Sequence, residues 1–212
     1  LSVIAVAEKD NLFNAPETYM NKIAFGKDVP KSALDLDFSI EKNIKNLADV
    51  KNKDIKDITA CLLDRPRHNE LIRELNKLNV NLKLITDGDV SGALLVTEEK
   101  HNVDIFLGIG GGPEGVLAAS ALDAYGCNFQ GRLIFEKEDE ISRAKKMGIS
   151  DLKRKYEINE IIRGDSIFCA TGITDGDLVE GVKKVDGQYH TETLVAHKNS
   201  NINVVKNKVT IA

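Results

Sequence analysis

A strand-like run, Val103 to Leu107, leads directly into Gly108-Ile-Gly-Gly-Gly-Pro-Glu114-Gly115 and then into a helix-like run, Val116 to Ala124. Glycines let a backbone come close to another group, and the positive end of the following helix favours an anion. Pro113 suits the first helical position, where no N–H is needed. Glu114 adds a carboxylate among the same donors. A phosphate there would be repelled unless a cation lay between, so the passage reads as a meeting place for phosphate and a divalent metal.

The rest of the chain follows an alternating pattern. Strands are expected over Leu1–Ala7, Ile58–Leu63, Val80–Ile85, Val103–Leu107, Arg132–Phe135 and Ser166–Ala170. Helices are expected over Glu17–Ala24, from the N-cap Ser39 to about Val50, over His68–Leu78 (apolar at 71, 72, 75 and 78), from Asp89 over Val90–Val96, and over Glu138–Met147 up to Gly148. Two β-rich runs around Lys198-Asn-Ser-Asn201 signal a hairpin. This order predicts α/β: a mostly parallel sheet with flanking helices, closed by an antiparallel C-terminal pair.

Composition narrows the function classes. The 212 residues are 42% hydrophobic and 29% charged, enough for a packed core and a solvated surface. A net charge of −4 offers no electrostatic ground for nucleic acid or an anionic membrane. No apolar run reaches the length of a membrane span. Cys61, Cys127 and Cys169 are far apart and lack CxxC spacing; Cys61 and Cys169 sit in apolar runs and fit small core residues in a reducing compartment. The first residue, Leu1, already belongs to a strand-like run, so the chain is expected to be the C-terminal portion of something longer.

Ligands in open α/β sheets bind beyond the carboxyl ends of strands. Those ends read Asp64-Arg65-Pro66-Arg67-His68, Thr86-Asp87-Gly88-Asp89, the glycine passage with Glu114, and Thr171-Gly172-Ile173-Thr174-Asp175-Gly176-Asp177. Pro66 holds Arg65 extended, so Arg65 and Arg67 can point to one side as a pair of phosphate forks. Asp87 and Asp89 on one turn can hold a cation, accept from sugar hydroxyls, or cap a helix, and Asp89 suits the cap best. His68 reads as a surface residue at a helix start. Gly110-x-Gly112-x-x-Gly115, with Glu136 about 20 residues on, is also formally a dinucleotide fingerprint. Glu114 argues against it, since its carboxylate would face the pyrophosphate unscreened. No Gly-Lys-Ser/Thr follows the glycines, which excludes a nucleotide P-loop.

In order and spacing these motifs resemble class II fructose-1,6-bisphosphatases (GlpX type), including the fructose-1,6-/sedoheptulose-1,7-bisphosphatases. The resemblance runs through Asn14-Ala-Pro-Glu-Thr-Tyr19-Met, Arg65-Pro-Arg67-His, Asp87-Gly-Asp89, the glycine passage, Ala170-Thr-Gly-Ile-Thr-Asp-Gly-Asp177 and Thr191-Glu-Thr-Leu194. It implies a layered α/β sandwich of the lithium-sensitive sugar-phosphatase type. Residues 1–50 would then be a remnant of an N-terminal sub-domain, and 51–212 a C-terminal α/β sub-domain. It implies metal-dependent hydrolysis of the 1-phosphate of fructose 1,6-bisphosphate in gluconeogenesis, with Mn²⁺ or Mg²⁺, in a cytoplasmic homo-oligomer. Tyr19, Arg65, Pro66, Arg67, Asp87, Gly88, Asp89 and Gly111 would contact the sugar bisphosphate, and Glu114 would bind metal. Arg65 stands where lysine is common, and Gly112 where alanine is usual. The family's upstream acidic run, of the type Asp-Pro-Ile-Glu-Gly-Thr, is not among these residues, so this chain by itself is expected to be nearly inactive. The remaining readings are a dinucleotide-binding oxidoreductase domain and a non-catalytic sugar-phosphate-binding fragment.

Overall fold

The computed structural model describes residues 1–86, 88–200 and 202–210. In chain order the elements are β1 (Ser2–Ala7), β2 (Tyr19–Phe25), α1 (Ile40–Lys51), β3 (Thr59–Leu63), α2 (Asn69–Lys77), β4 (Asn81–Ile85), α3 (Asp89–Leu94), β5 (Ile105–Gly111) and α4 (Gly112–Ala124). They continue with β6 (Asn128–Ile134), α5 (Glu138–Lys146), β7 (Lys155–Glu157), α6 (Ile158–Ile161), β8 (Ser166–Thr171), β9 (Lys183–Val185), β10 (Gln188–His197) and β11 (Asn203–Val209). Helices form where the local chemistry calls for them. The Ser39 hydroxyl accepts from the Lys42 N–H at the start of α1, and Gly148 leaves α5 with φ of 86°.

Two sheets result. A six-stranded sheet runs β4-β3-β5-β2-β6-β7, and a second sheet runs β1-β8-β10-β11 with β9 also on β10. Alternating residues of the first sheet feed two separate cores. Ile23, Ala60, Leu62, Ile105 and Leu107 pack with Ile44, Leu47 and Leu75 from α1 and α2. Met20, Cys61, Phe106 and Phe129 pack with α3 and α4, and with Phe168, Ala170, Leu194 and Ala196 from the second sheet. The layers are therefore helix, sheet, helix, sheet.

The α/β expectation holds, and so does the antiparallel C-terminal pair, which is β10–β11. A mostly parallel sheet does not. Among the described residues only β3–β4 and β3–β5 are parallel pairings; β2 runs antiparallel to both β5 and β6, and the second sheet is antiparallel throughout the pairings described. Alternation along the chain fixes which segments are strands, but not the order in which they pair. The expected helix at Glu17–Ala24 is instead β2. Two flanking strands hydrogen-bond its backbone from both sides, which outweighs any weak helical tendency of the segment. The strand expected to stop at Leu107 continues to Gly111, and none of the glycines at 108, 110, 111, 112 or 115 has positive φ.

Candidate functional site

Because β3, β4 and β5 are parallel, their carboxyl ends open on one side of the sheet. The β3–β5 ladder covers only Ala60–Ile105 and Cys61–Phe106, and beyond it the strands part. Side chains after β3 fill the gap. Ile109 donates its N–H to His68 Nε2 at 2.8 Å, while His68 Nδ1 lies 2.8 Å from the Leu63 carbonyl. Since Nε2 accepts, Nδ1 carries the proton. Arg67 Nε donates to the Ile109 carbonyl at 2.6 Å. His68 is thus a buried splice between two strands, not the surface residue that its place in the sequence suggested.

The two arginines diverge rather than point together. Arg65 is extended, as Pro66 requires, and donates to the Asp64 and Thr86 carbonyls at 2.8 and 2.7 Å, on the β4 side of β3. Arg67 reaches the β5 side, its guanidinium carbon 5.2 Å from the centre of the exposed Tyr19 ring. The pair therefore brackets the strand ends instead of forming one double fork. Pro66 opens the short turn that carries Arg67 and His68.

The glycines make room for side chains rather than for a tight turn. A Cβ on Gly110 would lie 1.6 Å from Asp89 Oδ2, and one on Gly111 would lie 1.8 Å from Glu114 Oε2. Consecutive glycines thus carry two carboxylates, one from α3 and one from α4. Asp89 does not cap α3: Gly88 holds the cap position, and the Asp89 side chain is buried against Lys22. Asp87 lies outside the described residues. The first N–H of α4, on Gly112, donates to the Thr18 carbonyl at 2.7 Å, so it is already committed.

Lys22 is the residue the sequence reading missed. It is fully buried, and its ammonium donates to Asp89 Oδ2 and, at 2.7 Å, to the Gly111 carbonyl. Its neighbours across both strand pairings are glycines, Gly108 and Gly131. A Cβ on Gly115 would lie 3.1 Å from Lys22 Cε. Burial pulls the Lys22 pKa below the usual lysine range; Asp89, and more distantly Glu114, oppose that pull. Removing one partner of such a pair leaves the other charge buried alone, at about 3–5 kcal/mol. A lysine inside an apolar run was the available signal, which a helix over residues 17–24 gave no reason to single out.

Asp89 Oδ1 is a buried side-chain oxygen with no hydrogen-bond partner among the described residues. Glu114 is exposed, folded over Gly111, and lines an open cavity of about 510 Å³ with Glu17, Tyr19, Gly111, Glu136 and Lys137. Glu114 and Tyr19, on whose ring Arg67 rests, line the same cavity. Among the described residues no group of three or more His, Cys, Asp or Glu side chains could hold a metal ion. Glu114 offers one hard oxygen donor of the kind Mg²⁺ or Mn²⁺ prefers; it does not make a metal centre by itself. The fourth strand end does not join the site by any contact described: Asp177 pairs with Lys83 of β4 at 2.9 Å.

Fold and site define an α/β protein whose parallel strand ends carry arginines after β3 and carboxylates at the starts of α3 and α4. Residues 1–209 match the family described as bacterial fructose-1,6-bisphosphatase, glpX-encoded, and the chain belongs to it. A Synechococcus sp. (strain JA-2-3B'a(2-13)) protein named D-fructose 1,6-bisphosphatase class 2/sedoheptulose 1,7-bisphosphatase is 39% identical over 213 positions, covering 94% of this chain and 61% of the relative. A protein of the same name from Microcystis aeruginosa (strain NIES-843 / IAM M-2473) is 37% identical over the same shares. The chain thus spans about three-fifths (61%) of the length of the curated relatives it matches. The dinucleotide reading loses its ground. Gly110 is filled by Asp89, Gly115 closes on Met20 and Lys22, and β2 lies between β5 and the strand leading to Glu136.

Proposed function

We propose that this chain supplies the sugar-phosphate side of a metal-dependent phosphatase that removes the 1-phosphate of fructose 1,6-bisphosphate, giving fructose 6-phosphate. The observation that carries the reading is Arg67 resting on Tyr19 at the edge of the cavity that Glu114 lines, next to a buried Asp89 oxygen that has no partner among the described residues. Arg65 and Arg67 offset phosphate charge and can turn their remaining N–H donors to its oxygens. Gly88 and Asp89, with Asp87 and Tyr19, orient the sugar. Asp89 accepts from a hydroxyl through Oδ1. Glu114 would give one oxygen to Mn²⁺ or Mg²⁺, which when bound would supply Lewis acidity at the phosphoryl group. A lithium-sensitive-phosphatase type of fold, sub-domains at 1–50 and 51–212, a cytoplasmic setting and a homo-oligomer belong to the same proposal. Among the described residues no helix is long and apolar enough to cross a membrane.

The test is phosphate release from fructose 1,6-bisphosphate with Mn²⁺ by the full-length protein, its Glu114→Gln variant and the isolated 212-residue chain. The full-length protein should turn over, Glu114→Gln should lose metal-dependent turnover while staying folded by circular dichroism, and the isolated chain should be nearly inactive. Full activity in the Gln variant would reduce Glu114 to a helix-dipole acid.

A further inference from the structure

The Lys22–Asp89 pair is more than a buried ion pair, because of what surrounds it. Lys22 stands on β2, Asp89 on α3, and the Gly111 carbonyl at the junction of β5 and α4. One ammonium therefore joins three elements that contribute separately to the crevice. Gly110 and Gly115 have no side chains where Asp89 and Lys22 approach, so the space is shaped for this contact. The carboxylate is used unevenly. Oδ2 is held by Lys22, while Oδ1 is buried with no partner in the described structure. An unpartnered buried oxygen is costly unless something arrives to satisfy it. The charges facing Lys22 are Asp89 from α3, Glu114 from α4 and, with opposite effect, Arg67 from the turn after β3.

We propose that Lys22 is a positioning residue of the site: by binding one oxygen of Asp89 and the Gly111 carbonyl, it fixes the other Asp89 oxygen toward a hydroxyl of the bound sugar phosphate. This rests on the phosphatase reading above. Lys22 touches neither phosphorus nor metal in this account, and it acts through Asp89. Losing it should therefore weaken substrate binding more than turnover, which separates positioning from a general loss of folded enzyme.

The experiment compares steady-state kinetics and thermal melts of the full-length protein with its Lys22→Gln and Lys22→Gln/Asp89→Asn variants. The single variant should raise KM for fructose 1,6-bisphosphate by about tenfold or more, the scale of a hydrogen bond to a charged group, with kcat changed less than about threefold. The double variant leaves no buried charge unpaired. It should recover most of the lost melting temperature without recovering KM. A parental KM in either folded variant, with only the melting temperature lowered, overturns the proposal and leaves Lys22 a structural residue. Failure of both variants to fold also overturns it, since the pair would then be a folding element. A full-length protein without sugar-bisphosphatase activity defeats the functional reading, and this inference with it. An active parent whose variants keep their KM defeats this inference alone.

Discussion

The two sheets solve the same packing problem differently. The six-stranded sheet is covered on both faces; every residue of β3 is buried, and cores lie above and below it. The second sheet is covered on one face only. Phe168, Ala170, Leu194 and Ala196 point inward, while Ile4, Val6, Ile167 and Val205 are exposed on the other side. Polar groups follow the same division. In the six-stranded sheet Lys22 and, at its strand ends, His68 and Asp89 are buried and specifically partnered apart from one Asp89 oxygen. In the second sheet the ion pairs lie near the surface, as between Glu192 and Lys206 at 2.6 Å. Burial on both faces is what makes a polar side chain expensive enough to mark a function.

Thiol chemistry gives the sharpest contrast. Burial pushes Cys61, on β3, up to about 12, and Cys127, just before β6, up to about 11, whereas Cys169 on β8 is partly exposed. At pH 8 a thiol with pKa about 12 is only about one part in ten thousand thiolate. In native protein followed by mass spectrometry, Cys169 should be alkylated first, and Cys61 and Cys127 only after denaturant is added. Equal rates at all three would break the distinction between the sheets.

A smaller effect should come from the splice between β3 and β5. His68→Phe keeps a ring but leaves the Ile109 N–H without its partner and the Leu63 carbonyl with the Arg65 N–H alone, at about 1–3 kcal/mol. Urea melts should register that loss, and an unchanged midpoint would mean that water or a shifted strand takes over both bonds. The smallest effect belongs to the outer face of the second sheet. Ile4 is 56% exposed, and Ile4→Ser should change stability by no more than about 0.5 kcal/mol. A loss above about 2 kcal/mol would show that this face is covered in solution, on the scale of burying a whole isoleucine side chain.

Much of this was legible before any coordinates. Ser39 and Gly148 marked helix ends, and the apolar spacing at 71, 72, 75 and 78 belongs to α2, with Leu78 at its cap. The charged segments after β3, β4 and β5 do lie at one edge of the sheet. Less legible were the elements whose identity depends on neighbours. Residues 19–25 carry no alternation of polar and apolar groups, because both faces of β2 are buried. The short strands β7 and β9 and the short helix α6 have too few residues to show any period. Asp89 resembled a cap because its place at the start of α3 is visible locally, whereas its partner is 67 residues away.

Sequence alone determined what is local and chemical: the glycine-to-helix passage, the arginine and aspartate turns, the alternation that makes the chain α/β, and the family its motifs resemble. The tertiary structure alone decided the strand order, with β2 between β5 and β6, and through it the place of Lys22. A strand's neighbours are chosen by long-range backbone pairing and by burial on two faces, and neither leaves a periodic trace in a seven-residue segment. The same pairing buried Lys22, with its ammonium between the Asp89 carboxylate and the Gly111 carbonyl.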